Sequence, residues 1–111
     1  FADFAQVNAK YQKLEEEYSQ LDNTENQEYN KLRANAQNAA QELEQKQTLK
    51  ANIEERVSRL EGANTSKYFQ NEYAGIIREY KNVIKALDAE IASLSRVVEN
   101  YNAVESLRGG N

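Results

Sequence analysis

Carboxylates are the side chains of this 111-residue chain whose type and spacing could support chemistry. They form the run Glu15-Glu16-Glu17 and continue at helical spacing through Asp22, Glu25 and Glu28. Metal sites of this kind in helical bundles also use histidine, and acid–base catalysis needs a pocket that shields the carboxyl group from water. The chain contains no His and no Cys. We therefore interpret these carboxylates as a solvated acidic face and expect no enzymatic activity, no metal and no cofactor.

Basic residues offer a second possible chemistry, the binding of an anion. Arg78, Lys81 and Lys85 lie three and four residues apart, so that a helix would present them on one side. Pairing at i,i+4 with nearby acidic residues is favoured over an anionic partner as the reason for this spacing. Acidic and basic residues, 18 and 14 in number, are interspersed along the chain and give a net charge of −4. No nucleic-acid partner is expected, because such a partner requires clustered basic charge.

Two helical arms must position these side chains, and apolar residues follow a seven-residue repeat along the second. Branched residues at one position with Leu or Tyr three residues later are typical of a coiled-coil seam. The first arm spaces its apolar residues three and four apart. The sequence predicts a hairpin seam made of Ile53, Val57, Leu60, Ile77, Tyr80, Leu87, Ile91, Leu94, Val98 and Tyr101.

The interruption between the arms falls around Gly62, in a chain without proline. We expect an all-α fold, an antiparallel, coiled-coil-like two-helix hairpin with a longer first helix and a turn near residues 61–67. Helix 1 is expected at about residues 3–60 and helix 2 at about 68–108, within one domain of residues 1–111. Gly62 is expected to be the C′ residue of the first helix. A reversal near residue 64 would place Ile77 opposite Ile53.

One further sequence signal could end a helix inside the first arm. Thr24 and Gln27 have the spacing of a capping box. Since no Gly or Pro accompanies them, a continuous helix is favoured over a break near Asn23.

The first arm exceeds the second in length, which leaves its beginning without a partner in a hairpin. The unpartnered apolar residues there are Phe4, Val7, Tyr11, Leu14 and Tyr18, and Leu21 follows at the same spacing and joins them as an expected self-assembly residue. A stripe of this size, a few hundred Å² in order of magnitude, usually marks an interaction surface. The sequence therefore predicts that another molecule covers it, and self-association is the simplest case.

The start of the chain and its hydropathy bear on where the protein acts. The chain begins with Phe and contains no Met, which indicates either a removed signal peptide or the boundary of an excised fragment. No apolar run approaches the roughly 20 residues of a membrane-spanning helix.

The chain also resembles the mature form of the FadA-type adhesins of fusobacteria along its whole length. The resemblance rests on residues in both arms and on the ending Ser106-Leu107-Arg108-Gly109-Gly110-Asn111. The others are Leu14, Tyr18, Leu21, Arg56, Arg59, Leu60, Asn64, Thr65, Tyr68, Phe69, Tyr73, Tyr80 and Leu87.

This resemblance implies an adhesin made with a cleavable signal peptide, at the cell surface or outer membrane and secreted. It implies head-to-tail self-assembly into filaments and attachment to host cells, with a cadherin as receptor. Membrane association would occur only through an uncleaved precursor. The family's assembly leucines correspond to Leu14 and Leu21, and to Ile76 and Ile84 in the second arm.

Two other classes of helical protein remain open at this stage. A secreted structural hairpin could be a needle subunit or a type VII-like substrate, but type VII proteins carry Trp-x-Gly at the turn and this chain has no Trp. Needle subunits are usually shorter and have a proline in the turn. An intracellular coiled-coil scaffold is the other alternative, and a precursor without a signal peptide would favour it.

Overall fold

Two long helices make up the fold in the computed structural model, which describes residues 2–63 and 68–109. Helix α1 spans Ala2–Ala63, 62 residues, and helix α2 spans Gln70–Gly109, 40 residues. The predicted all-α hairpin with a longer first helix is therefore confirmed. The chain divides into two compact units, Phe1–Ala34 and Asn35–Asn111. The first unit is the beginning of α1, and the second contains the rest of α1 with α2.

Three ion pairs between the helices of the second unit establish that α1 and α2 are antiparallel. Residues 46, 50 and 61 of α1 pair with residues 90, 88 and 81 of α2, so one number rises as the other falls. Lys81 pairs with Glu61, and Ile77 lines the same cleft as Glu61. The expectation that Ile77 lies opposite Ile53 was wrong, because α1 continues to Ala63 and α2 begins only at Gln70.

The seam of the hairpin is thin, and two of its buried side chains are alanines. Its most buried side chains are 4–8% exposed: Ala36, Ala39, Val57, Ile77 and Leu87. The other predicted seam residues are half-buried, since a pair of helices covers each side chain from one direction only. These are Ile53, Leu60, Tyr80, Ile91, Leu94, Val98 and Tyr101. Tyr101 lines a shallow depression together with Ala36 and Ala40, where the alanines leave room for its ring.

The ends of the helices next to the turn differ from the expectation for Gly62. Glu61, Gly62 and Ala63 all belong to α1, and no described glycine has a positive φ. Gly62 is therefore not a left-handed C′ residue. A glycine inside a helix costs only about 1 kcal/mol relative to alanine, so the helix can continue through it. The expected N-caps Asn64, Thr65 and Ser66 lie outside the described residues. At the start of α2, the Tyr73 amide donates a hydrogen bond of 3.0 Å to the Phe69 carbonyl.

The first unit is an uninterrupted helix, as the lack of Gly and Pro predicts. Helix α1 continues through Asn23 without a break. Near the end of this unit, Lys31 pairs with Glu28 at 3.4 Å, and the Arg33 guanidinium lies 6.0 Å from the centre of the Tyr29 ring. These contacts between residues three and four apart support a solvent-exposed helix.

Candidate interaction surfaces

An apolar stripe on the first unit is the longest row of exposed large hydrophobic side chains in the described residues. It consists of Phe4, Val7, Tyr11, Leu14, Tyr18 and Leu21, whose exposed fractions are 61–76%. Spacings of three and four place all six on one face of α1. Helical propensity holds this segment in shape, while its apolar face remains in water.

Acidic side chains flank the stripe. Glu15 and Asp22 follow Leu14 and Leu21 directly, seven residues apart, and so lie along one edge of the stripe. Neither carboxylate, nor those of Glu16 and Glu17, takes part in a hydrogen bond or ion pair within the part of the chain that the structure describes. Among the described residues, no three carboxylates converge in a geometry that could hold a metal ion. These four carboxylates therefore present negative charge beside the stripe.

A second apolar surface, the α2 line, lies on the hairpin near the turn. It consists of Phe69, Ile76 and Val83, which are seven residues apart and 59%, 49% and 45% exposed. A shallow groove of about 340 Å³ along it is lined by Gly75, Ile76, Glu79, Tyr80 and Val83. Gly75 has no side chain, and nothing lies within 4 Å of the position that a Cβ would take. The groove is therefore open to a side chain from another molecule.

Only part of this second surface was predicted from the sequence. Ile76 is on the α2 line, whereas Ile84 is half-buried and shares the seven-residue repeat of Ile77 in the seam. Val83 and Phe69 were not proposed as contact residues. Their signal was the seven-residue spacing through Ile76, which runs beside the seam repeat.

A basic cleft occupies the other side of α2. It measures about 670 Å³; Ala74 and Ile77 line it together with the three basic side chains Arg78, Lys81 and Lys85. Lys81 forms an ion pair with the other helix, since its ammonium lies 2.9 Å from the Glu61 carboxylate on α1. Arg78 and Lys85 pair with no residue that the structure describes. The expected i,i+4 pairing was wrong for all three basic residues, because no acidic residue stands four positions from any of them.

Two further lysines connect α1 to α2 and are partly withdrawn from water. The ammonium groups of Lys46 and Lys50 lie 2.6 Å from Glu90 and Asp88, with side chains 27% and 30% exposed. The hydrogen bond to Glu90 raises the pKa of Lys46 above its ordinary value, and that to Asp88 does the same for the pKa of Lys50. Partial burial opposes both shifts without reversing them. These lysines fix the register of the hairpin and are not available to a ligand.

Exposed apolar side chains on both helices give this helical hairpin surfaces suited to contact with other molecules. A family model described as "Adhesion protein FadA" matches residues 10–108. The chain belongs to this family. The resemblance identified in the sequence is thereby confirmed.

Solved structures give the same result. A crystal structure of the bacterial adhesin FadA has a TM-score of 0.91 and 28% identity, covering 96% of this chain and 98% of that one. Crystal structures of two single-substitution mutants of FadA have TM-scores of 0.90 and 0.88 at 28% and 27% identity. They cover 96% and 95% of this chain, and 93% and 98% of their own chains. A search of curated proteins finds no match.

Membership of this family assigns the chain an adhesin role, which is not an enzymatic one. An adhesin acts at the surface of the cell or after secretion, where it meets the surface of a host cell. Neither described helix has an apolar stretch of the length and composition that crossing a membrane requires.

Proposed function

We propose that this protein is an adhesin subunit that assembles head to tail through apolar side chains. The stripe of the first unit in one copy packs against the α2 line of the next copy, around Ile76 and the adjoining Ile84. The observation that carries the proposal is the 61–76% exposure of six large apolar side chains on one face of a helix. Water contact with so much apolar surface is unfavourable, at about 25 cal/mol per Å².

The assembled filament then presents many copies of the hairpin to a host cell. Linked copies bind a surface far more tightly than single copies, because each later contact forms at high effective concentration. We further propose attachment through a cadherin-type receptor, a location at the outer membrane and in secreted form, and a part in virulence. Membership of the adhesin family supports these proposals. Anchoring to the membrane would come from an uncleaved precursor.

Substitution of Leu14 tests the assembly contact. Leu14→Asp places a carboxylate in the middle of the stripe, and its burial against another copy should weaken assembly on the order of a hundredfold or more. Asn23→Asp is the matched control, since it adds the same charge nine residues away, on the opposite face of α1. Multi-angle light scattering over a concentration series measures the effect, with circular dichroism as the check on helix content. Growth of Leu14→Asp at wild-type concentrations would rule out the stripe as the interface.

Receptor binding is tested separately from assembly. Wild type and Leu14→Asp are passed over an immobilised cadherin extracellular domain, and saturable binding is expected for both, with slower dissociation of the wild type. Absence of saturable binding would contradict the cadherin proposal and leave the assembly proposal unaffected.

A further inference from the structure

The basic cleft and the acidic edge of the stripe have matching charges in matching positions. Arg78 and Lys85 are exposed, seven residues apart on α2 and without a partner among the described residues. Glu15 and Asp22 are likewise exposed, seven residues apart on α1 and without a described partner. Seven helical residues span about 10.5 Å in both cases. The two sets of charges can therefore face each other as two parallel ion pairs.

The surroundings strengthen this complementarity. Between Lys13 and Lys31 the chain carries six carboxylates and no basic residue. On the other side, Arg78, Lys81 and Lys85 face a single carboxylate, Glu61, in the cleft. The floor of the cleft is apolar, with Ala74 and Ile77, and can accept the apolar flank of a helix. An acidic amphipathic helix is the ligand that fits this surface, and the chain itself contains one.

We propose that the basic cleft binds the acidic edge of a second copy, as an ionic contact distinct from the apolar head-to-tail contact. Ile76 and Arg78 lie on either side of the buried Ile77, and successive helical residues are about 100° apart, so the two surfaces face away from each other. The two surfaces of α2 can therefore be occupied at the same time. The apolar contact extends an assembly, and the ionic contact joins copies across it. The inference builds on the proposed self-association, but its contact residues are different.

Salt gives the first readout. Screening weakens ion pairs between exposed groups, and the Debye length falls from about 14 Å at 50 mM to about 4 Å at 500 mM salt. Association through the cleft should therefore fall with added NaCl, whereas apolar association should not. Exposed pairs are individually weak, so the loss of two pairs should lower association roughly three- to thirtyfold.

Charge reversal gives the decisive test, carried out in the Leu14→Asp background and in the wild type. Arg78→Glu/Lys85→Glu and Glu15→Lys/Asp22→Lys should each lose the salt-sensitive association measured by sedimentation velocity at 50 mM NaCl. An equimolar mixture of the two variants should regain it, because each then meets the opposite charge. Arg96→Glu/Arg108→Glu makes the same change in net charge elsewhere on α2 and should retain it. Circular dichroism establishes that each variant is helical.

The pattern of losses distinguishes the ionic contact from the apolar contact and from binding of a foreign polyanion. Equal association of wild type and reversed variants, or no recovery in the mixture, would overturn the ionic contact even if Leu14→Asp abolishes assembly. Unchanged self-association combined with loss of retention of Arg78→Glu/Lys85→Glu on a heparin column would also overturn it, and would assign the cleft to a foreign polyanion. Recovery in the mixture together with unaltered assembly of Leu14→Asp would support the ionic contact and contradict the stripe.

Discussion

Leu87 and Leu107 are leucines of the same helix in opposite environments. Leu87 is 6% exposed in the seam, and Leu107 is 84% exposed near the end of α2. Both are in regular helix, so propensity treats them alike. The difference in their contribution to stability therefore comes from burial against α1.

Replacement of these two leucines by alanine measures that contribution. Leu87→Ala removes buried apolar surface and leaves a cavity, and should lower the free energy of unfolding by about 2–5 kcal/mol. The lower part of this range is expected because a thin seam can partly close the gap. Leu107→Ala should change it by less than about 0.5 kcal/mol. Urea denaturation followed by circular dichroism gives both values, and equal losses would contradict the assignment of the core.

For individual side chains, the sequence predicted burial better than it predicted ion pairing. The repeat of Ile77 and Leu87 predicted their burial, because a coiled-coil seam leaves few choices for a residue at such a position. The absence of a described ion pair at Arg78 and Lys85 could not be predicted, because an ion pair between the helices depends on which residue of α1 lies opposite. Lys81 forms an ion pair with Glu61 across the hairpin, whereas Arg78 and Lys85 form no ion pair with any residue that the structure describes.

The pairing of α1 with α2 depends on the ion pairs of Lys46 and Lys50 as well as on apolar contact. A lysine whose pKa is raised by folding stabilises the folded state fully below its unfolded pKa of about 10.4. That contribution is lost as the pH rises through the folded pKa. The hairpin should therefore keep these ion pairs at neutral pH, and at lower pH as long as the carboxylates remain charged. It should lose them in strong alkali, where the lysines are deprotonated.

The variant Lys46→Gln/Lys50→Gln isolates this effect. At pH 8 it should have a lower Tm than the wild type, and the difference should shrink as the pH rises well above the ordinary lysine pKa of about 10.4. Lys10→Gln/Lys13→Gln is the control, because neither lysine has a partner among the described residues. Thermal melts followed by circular dichroism provide the comparison. A Tm difference that persists unchanged to the highest pH would show that lost packing, and not the ion pairs, is responsible.

Helices were predicted more securely than the connection between them. The absence of Pro and the long apolar repeats determine two helices, and continuity through Asn23 followed from the same reasoning. The expected end at Gly62 failed because one glycine costs too little to stop a helix whose neighbours favour it. Because the turn was placed a few residues too early, every predicted pairing between the two helices was shifted, including that of Ile77.

The proposed assembly depends on the surfaces that remain exposed on a single chain. The apolar stripe and the α2 line would join copies end to end, and the acidic edge with the basic cleft would add a contact across them. Patterns in the sequence indicated the stripe because its residues repeat without a partner. The α2 line was harder to detect, because its repeat is displaced by one residue from the repeat of the seam. The two repeats can be told apart only when the buried face of α2 is known.

Cross-linking between defined positions tests this arrangement most directly, and the chain has no native Cys to interfere. Leu14→Cys and Ile76→Cys are prepared as single variants, mixed, and oxidised at concentrations where the wild type assembles. We predict rapid formation of a disulfide-linked heterodimer, much faster than in a mixture of Asn23→Cys with Ile76→Cys. Cross-linking of the two mixtures at equal rates would contradict the packing of the stripe against the α2 line.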